Sequence, residues 1–407
     1  MWKPTSLCRR EWILRRCATA NAGFWAANVK PLFRSLPDGC DTSYKNLFEA
    51  TTNGSKFARE QCDGLWRDFN GLADNQFTEE FPFQFEQRWF EMYLGATLLN
   101  VGLSVSPSPK GRGGPDFCVD HCGRRFFIEA ITPTQGDADN PDRVLDPIYT
   151  DADGEAVATL VPTNQITMRL SRAFKTKADK YKSYREAGKI PQEATCIIAI
   201  NSRDVPHAWA DAQSYWFRAL YGVGNQYVSF NPDGSAAVEG REYRETLQGA
   251  QREGDTPGAV YEVAPLLGAR HEGIAGVLGS SFGAGFRGPL GDDFCLMPHA
   301  SPAHPYAPGF IGRGTELMLR RNTATGNWDV ETIDYGALEA QGPHTVVVEH
   351  GGRLHEAQWQ VGGRTLSVRV AGRGYDEIAI NRADEMPAYV VAIVKEILRS
   401  QERDAGA

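Results

Sequence analysis

The sequence predicts an α/β fold built on a mixed sheet, and three observations predict it. A long apolar helix pattern around residue 90 leads into three short strand signals, then a second long helix, then a continuous apolar run. The link His121-Cys122-Gly123 makes the second and third strands a hairpin. The run Thr195–Asn201 (TCIIAIN) is apolar throughout, which suits a strand covered on both faces.

The elements follow in order. Residues 1–77 alternate aromatics with Gly, Asn and Asp and show no strong period, so short helices and irregular chain are expected there. Residues 1–36 carry seven Lys/Arg and one acid, Glu11. With no apolar h-region this reads as a solvated basic arm rather than a secretory signal. Thr78-Glu79-Glu80 opens a predicted helix in which Pro82 sits in the first turn and Phe83, Phe90, Leu94, Leu98 and Val101 share a face, with Gly102 as its stop. Strands are predicted at 103–106, 116–120 and 125–132. The acidic insertion 136–163 is expected to be a surface loop too polar to pack. A helix from Asn164 to Ala187 precedes the apolar strand, and 273–280 suits a second buried one. Residues 282–313 read as loop, and Thr315–Arg320, Thr345–Glu349 and Thr365–Val370 as strands of a smaller antiparallel unit. A helix at Met386–Gln401 follows. The domain division is thus 1–77 as a basic, irregular segment, 78–285 as the α/β core, and 286–407 as a C-terminal β extension with a terminal helix.

Composition bounds the function. The 407 residues imply two or three units, and 42% hydrophobic with 23% charged residues exclude wholesale disorder. No stretch reaches the ~20 apolar residues of a bilayer span. A net charge of −8 argues against coating nucleic acid with the whole surface but leaves room for a local basic groove. Eight scattered cysteines without paired CxxC motifs fit a reduced, cytoplasmic protein.

One constellation carries chemistry. Asp116 follows Pro115 at the start of a strand, and Glu129 lies within the next, among Phe127, Ile128 and Ala130. Alternate residues share a strand face, so the hairpin can bring both carboxylates to one spot. Two acids in apolar surroundings require a cation or a proton. A hard divalent ion takes oxygen ligands of this kind. The alternatives are that Asp116 caps a turn and Glu129 makes a structural ion pair.

With Pro115-Asp116, Glu129-Ala130-Ile131 and this element order, the chain resembles the PD-(D/E)xK nuclease superfamily, the restriction-endonuclease-like fold, over about residues 79–201. The resemblance implies an αβββαβ core and hydrolysis of phosphodiester bonds by a metal-activated water, with Mg²⁺ or Mn²⁺ as cofactor. It implies nucleic acid, DNA first, as partner, no membrane, and leaves a homodimer open. Asp116, Glu129 and Glu91 on the preceding helix would be the metal ligands, completed by the Ala130 carbonyl. Ile131 stands where the family has lysine. Lys177 lies mid-stripe on the following helix, within about 60° of Ile166, Leu170, Ala173, Phe174, Tyr181 and Tyr184, and would replace it. The helix 164–188 carries seven basic against two acidic residues. Arg169 and Lys180 border its stripe and, with Lys110 and Arg112 of the glycine turn, could reach a phosphate. Arg172, Lys175 and Lys182 read as a solvated face.

A nuclease-like module kept for binding or sensing is the second reading, favoured by the missing strand lysine. A hydrolase site in the His-bearing loop 282–313 is a third. Asp120 shares strand parity with Asp116, whereas Cys118, His121 and Cys122 lack a second ligand pair for zinc.

Overall fold

The structure, a computed structural model, describes residues 30–107, 113–121, 124–147, 160–209, 212–233, 235–251, 257–306, 309–321, 328–335, 345–350, 353–361 and 364–372. The basic N-terminus, Lys110, Arg112, Cys122 and the helix expected at 386–401 lie outside them. Two compact units are present, one within Val29–Gly288 and Cys295–Pro305, the other within Pro289–Phe294 and Tyr306–Ala407. Among the described residues no helix is long and apolar enough to cross a membrane.

Four helices open the larger unit: α1 (Thr42–Glu49), α2 (Asn53–Phe69), α3 (Phe77–Glu80) and α4 (Phe85–Asn100). The 17-residue α2 exceeds the short helices expected before residue 78. Thr52 and Ser55 form a capping box at its start, and Ala58, Cys62, Leu65, Trp66 and Phe69 give it one buried face. The single helix expected from Thr78 is two. Pro82 offers no N–H to the Thr78 carbonyl, so α3 ends at Glu80 and the chain turns before α4. Phe83, expected on the buried face, is exposed in that break, while Phe90, Leu94 and Leu98 are buried. Nor is α4 amphipathic: Phe85 and every residue from Trp89 to Leu98 are buried, because α2 packs on one side and β1 and β3 on the other. Gly95 is the close-approach point. A Cβ there would meet Phe69 ring carbons at 2.6 and 2.7 Å and Phe117 at 3.0 Å.

The sheet begins with an antiparallel meander of β1 (Ser104–Pro107), β2 (Phe117–His121) and β3 (Arg124–Ile131). Helix α5 (Thr163–Glu186) then crosses to β4 (Thr195–Asn201), parallel to β3. Next come α6 (Ala212–Tyr221), the hairpin β5–β6 (Val223–Phe230, Ala236–Tyr243), and the short pair β7–β8 (Thr246–Gln248, Val260–Glu262). β9 (Ile274–Ser280) pairs parallel with β4, and β10 (Cys295–Pro298) antiparallel with β9. Within this unit the spatial order is β1-β2-β3-β4-β9-β10. Every residue of β4 and β9 is buried, which explains their unbroken apolar runs. The elements between β4 and β9 escape the sequence reading because α6 spans only ten residues, Gly, Asn, Gln, Glu and Arg interrupt the eight-residue β5 and β6, and β7 and β8 are three residues each.

Helix α5 is pinned to the sheet by polar contacts. The Tyr181 hydroxyl lies 2.8 Å from the Phe127 carbonyl and 2.9 Å from that of Ile197. Arg185 donates to the carbonyls of Gly273 (2.7 Å) and Ala194 (3.2 Å). The described part of the acidic insertion is loop up to Thr163, as expected, but it packs: Val144 is fully buried, and buried Asp142 accepts from the Ala250 amide (2.6 Å) and the Tyr261 hydroxyl (3.3 Å). Two donors reaching one carboxylate remove the penalty that polarity alone suggests.

In the second unit β11 (Thr315–Arg321) and β12 (Trp328–Asp334) pair antiparallel. β13 (Thr345–His350), β14 (Arg353–Val361) and β15 (Arg364–Gly372) close into a three-stranded barrel. The purely antiparallel expectation fails here. Two antiparallel steps return the chain to its first direction, so the closing pair β13–β15 is parallel.

Gly95→Ala should destabilise the larger unit. Helix propensity returns about 1 kcal/mol, but overpacking against two fixed rings costs about 1–3 kcal/mol. A lower urea midpoint with unchanged m-value checks it.

Candidate active site

The β2–β3 hairpin sets the first two side chains. Its register ends with Phe117 paired to Ile128; one step outward lie Asp116 and Glu129, near enough for Asp116 to feel the Glu129 charge. Asp116 lies one residue before β2, partly buried, and its Oδ2 accepts a 2.7 Å hydrogen bond from the Ala130 amide. The side chain thus replaces the backbone acceptor that a longer β2 would provide. Its other oxygen has no hydrogen-bond partner among the described residues.

Glu129 is fully buried. Its Oε2 accepts from Lys177 Nζ at 2.6 Å and from Lys180 Nζ at 2.9 Å. Its Oε1 accepts from the Tyr184 hydroxyl at 2.8 Å. The three donors stand on α5 at spacings of three and four residues, which aligns them on one helix face. Lys180, expected to reach outward to a phosphate, lies on Glu129. Its ammonium is held protonated: burial opposes this, but the Glu129 charge and the hydrogen bonds it donates to Tyr184 and Glu129 outweigh it.

Glu91 approaches from α4. It is buried and paired with Arg88 at 2.8 Å, and Arg88 also holds Asp74 (3.1 Å) and Glu80. Burial, then the Asp116 charge, push Glu91 up to about 8 against the pull of Arg88. Burial, then the Glu129 charge, push Asp116 up to about 6 against Lys177. Glu91, Asp116 and Glu129 therefore form a row in which each carboxylate feels the next. Among the described residues no three His, Cys, Asp or Glu side chains are close enough together to hold a metal ion.

The remaining candidates are placed as follows. Arg169 donates to the Thr134 carbonyl (2.8 Å), and so buttresses the chain leaving β3. Arg172, Lys175 and Lys182 are exposed, as expected. Asp120 is exposed and pairs with Arg125 at 2.9 Å. His299 is buried, accepting at Nδ1 from the Ser301 amide with Nε2 3.0 Å from the Gly268 carbonyl. Both ring nitrogens thus meet backbone, which speaks for a structural histidine in the neutral form that burial favours. Sequence reasoning missed Tyr184, Arg88 and Gln87 as parts of the site. Gln87 accepts from the Thr132 amide (2.7 Å) and reaches the Ala130 carbonyl (3.4 Å), tying α4 to the end of β3. The spacing Lys177-Lys180-Tyr184 was the available signal for the first.

No protein-family model, curated protein or solved structure matches this chain.

The raised carboxyls have a measurable sign. Between its ordinary value of 4.5 and about 8, folded Glu91 holds more proton than it does in the unfolded chain. Stability attributable to it therefore falls as pH rises through that window. Glu91→Gln removes this titration, so its urea midpoint should fall less than the wild type's between about pH 5 and about pH 8.

Proposed function

We propose that this protein is a metal-dependent nuclease that hydrolyses phosphodiester bonds, with DNA as the substrate. The observation that carries the reading is the fully buried Glu129, near Asp116 on a hairpin and met by Lys177 from the next helix. The order α4-β1-β2-β3-α5-β4, with β3 and β4 parallel, supports the αβββαβ core of the restriction-endonuclease-like fold. Five cysteines among the described residues are free thiols, in keeping with a reducing cytoplasm.

The chemistry of the donors suits a hard cation, Mg²⁺ or Mn²⁺: Asp116 and Glu129 would supply carboxylate oxygens, and Glu91 and the Ala130 carbonyl would have to close in, since the three acids as they stand are not grouped tightly enough to hold an ion. Such an ion would supply Lewis acidity toward the phosphate and acidify a water. The chain's own residues do the rest. Asp116 keeps one oxygen on the Ala130 amide, which fixes the orientation of the other. Lys177, 12% exposed and on the buried stripe, presents a fixed positive charge for the phosphate as charge develops on it. Arg88 holds Glu91 toward the row rather than letting it turn to solvent.

A specific observation favours a second reading, a nuclease-like module that binds without cleaving. Both oxygens of Glu129 are already satisfied by Lys177, Lys180 and Tyr184, so the pocket is electrostatically complete as it stands. Calorimetric titration with Mg²⁺ separates the two: absence of metal binding with retained DNA binding supports the module.

On the nuclease reading, Asp116→Asn should abolish Mg²⁺-dependent cleavage of DNA while circular dichroism stays that of the wild type, and Glu129→Gln should abolish cleavage and also lower the urea midpoint, because it leaves Lys177 without its carboxylate. Lys177→Met should lower the cleavage rate by about 10²–10³-fold. Cleavage surviving in both carboxylate variants rejects the assignment.

A further inference from the structure

Two ammonium groups share one carboxylate oxygen. Lys177 and Lys180 both donate to Oε2 of Glu129, although one lysine suffices to neutralise one glutamate. Their settings differ. The Lys177 side chain is 12% exposed and sits on the buried face of α5, whereas that of Lys180 is 42% exposed, with its ammonium 5.5 Å from the centre of the Tyr184 ring. Together they gather two positive charges on an acid that adjoins Asp116, which is the charge of a divalent cation. A half-exposed ammonium regains water when it leaves such a pair, and a buried one does not.

We propose that Lys180 is a resident counter-ion, which stands on Glu129 in the place of a divalent cation and is displaced when that cation binds. Lys177 stays in the pocket. The released Lys180 ammonium then faces solvent, where it can meet an anionic substrate. The site is thus closed to substrate charge while empty and opened by the cation itself. This inference rests on the metal-dependent reading above.

The test uses the full chain and Mg²⁺ alone, with two readouts. Calorimetry should show Mg²⁺ binding about tenfold tighter in Lys180→Met than in the wild type, since a hydrogen-bonded charge no longer competes for the oxygen. NMR of the lysine ammonium groups should show the hydrogen-bonded signal of Lys180 disappearing as Mg²⁺ is added, while that of Lys177 persists. Binding that is unchanged or weaker in Lys180→Met overturns the proposal. So does tighter binding with an unmoved Lys180 signal, because that is through-space repulsion without displacement. Asp116→Asn separates the two levels. If wild type binds Mg²⁺ through Asp116 but Lys180 stays in place, only the counter-ion role falls. If wild type binds no Mg²⁺, or Asp116→Asn binds it equally well, the metal reading falls and takes this proposal with it.

Discussion

A carboxylate removed from water in the middle of a sheet is the constraint on which the larger unit is organised. Glu129 lies on β3 with no exposed surface, and an unpaired charge there would cost several kcal/mol. Compensation has to arrive from outside the strand, and it arrives from α5. Lys177, Lys180 and Tyr184 reach the two oxygens from one helix face. That requirement fixes the rotation of α5 about its axis. The same rotation places Ile166, Leu170, Phe174 and Tyr181 in the core, so burial and charge pairing demand one orientation. Tyr181 fixes the position of α5 along the strands by setting its hydroxyl against carbonyls of both β3 and β4.

The contacts of this pocket serve a structural and a chemical role at once. Asp116 caps an amide of β3, and Glu129 makes ion pairs, as a purely architectural reading would have it. What architecture alone does not account for is the third acid. Glu91 could have been apolar, like its neighbours Phe90 and Met92 on a helix buried almost all round. Instead it occupies Arg88 and is pushed toward neutrality by burial and then by the Asp116 charge. Two buried carboxyls, Glu91 and Asp116, each raised by burial and then by the next acid in the row, are a destabilising arrangement, and such arrangements concentrate where chemistry needs them.

The sequence made the centre of the fold legible and its periphery much less so. β3, β4 and β9 were readable because strands covered on both faces are continuously apolar, and Asp116 and Glu129 stood out against that background. Lys177 was readable because a lysine within an apolar stripe demands an acid. The break at Pro82 was hidden because proline is also acceptable in a first helical turn, and only the position of Thr78 inside α3 decides between the two. The packing of Asp142 was hidden because its donors, Ala250 and Tyr261, lie more than a hundred residues away in sequence. Lys180 was seen as cationic, but its partner depends on the lateral placement of α5 against the sheet, which helical periodicity does not encode. β12 and β14 were missed because polar residues dominate both: in β12 the alternation of Trp328 and Val330 breaks at Thr332, and in β14 that of Ala357, Trp359 and Val361 begins only after the polar His355 and Glu356.

Arg185 gives this architecture an order in time. Its guanidinium bridges the segment before β4 and the residue that introduces β9, 88 positions further along the chain. Closing so long a loop is entropically slow compared with forming the β2–β3 hairpin. The end of α5 that carries Tyr184 therefore gains its last anchor only once β9 has docked. The β2–β3 hairpin needs only a local closure, whereas the far end of α5 waits on a contact between distant parts of the chain.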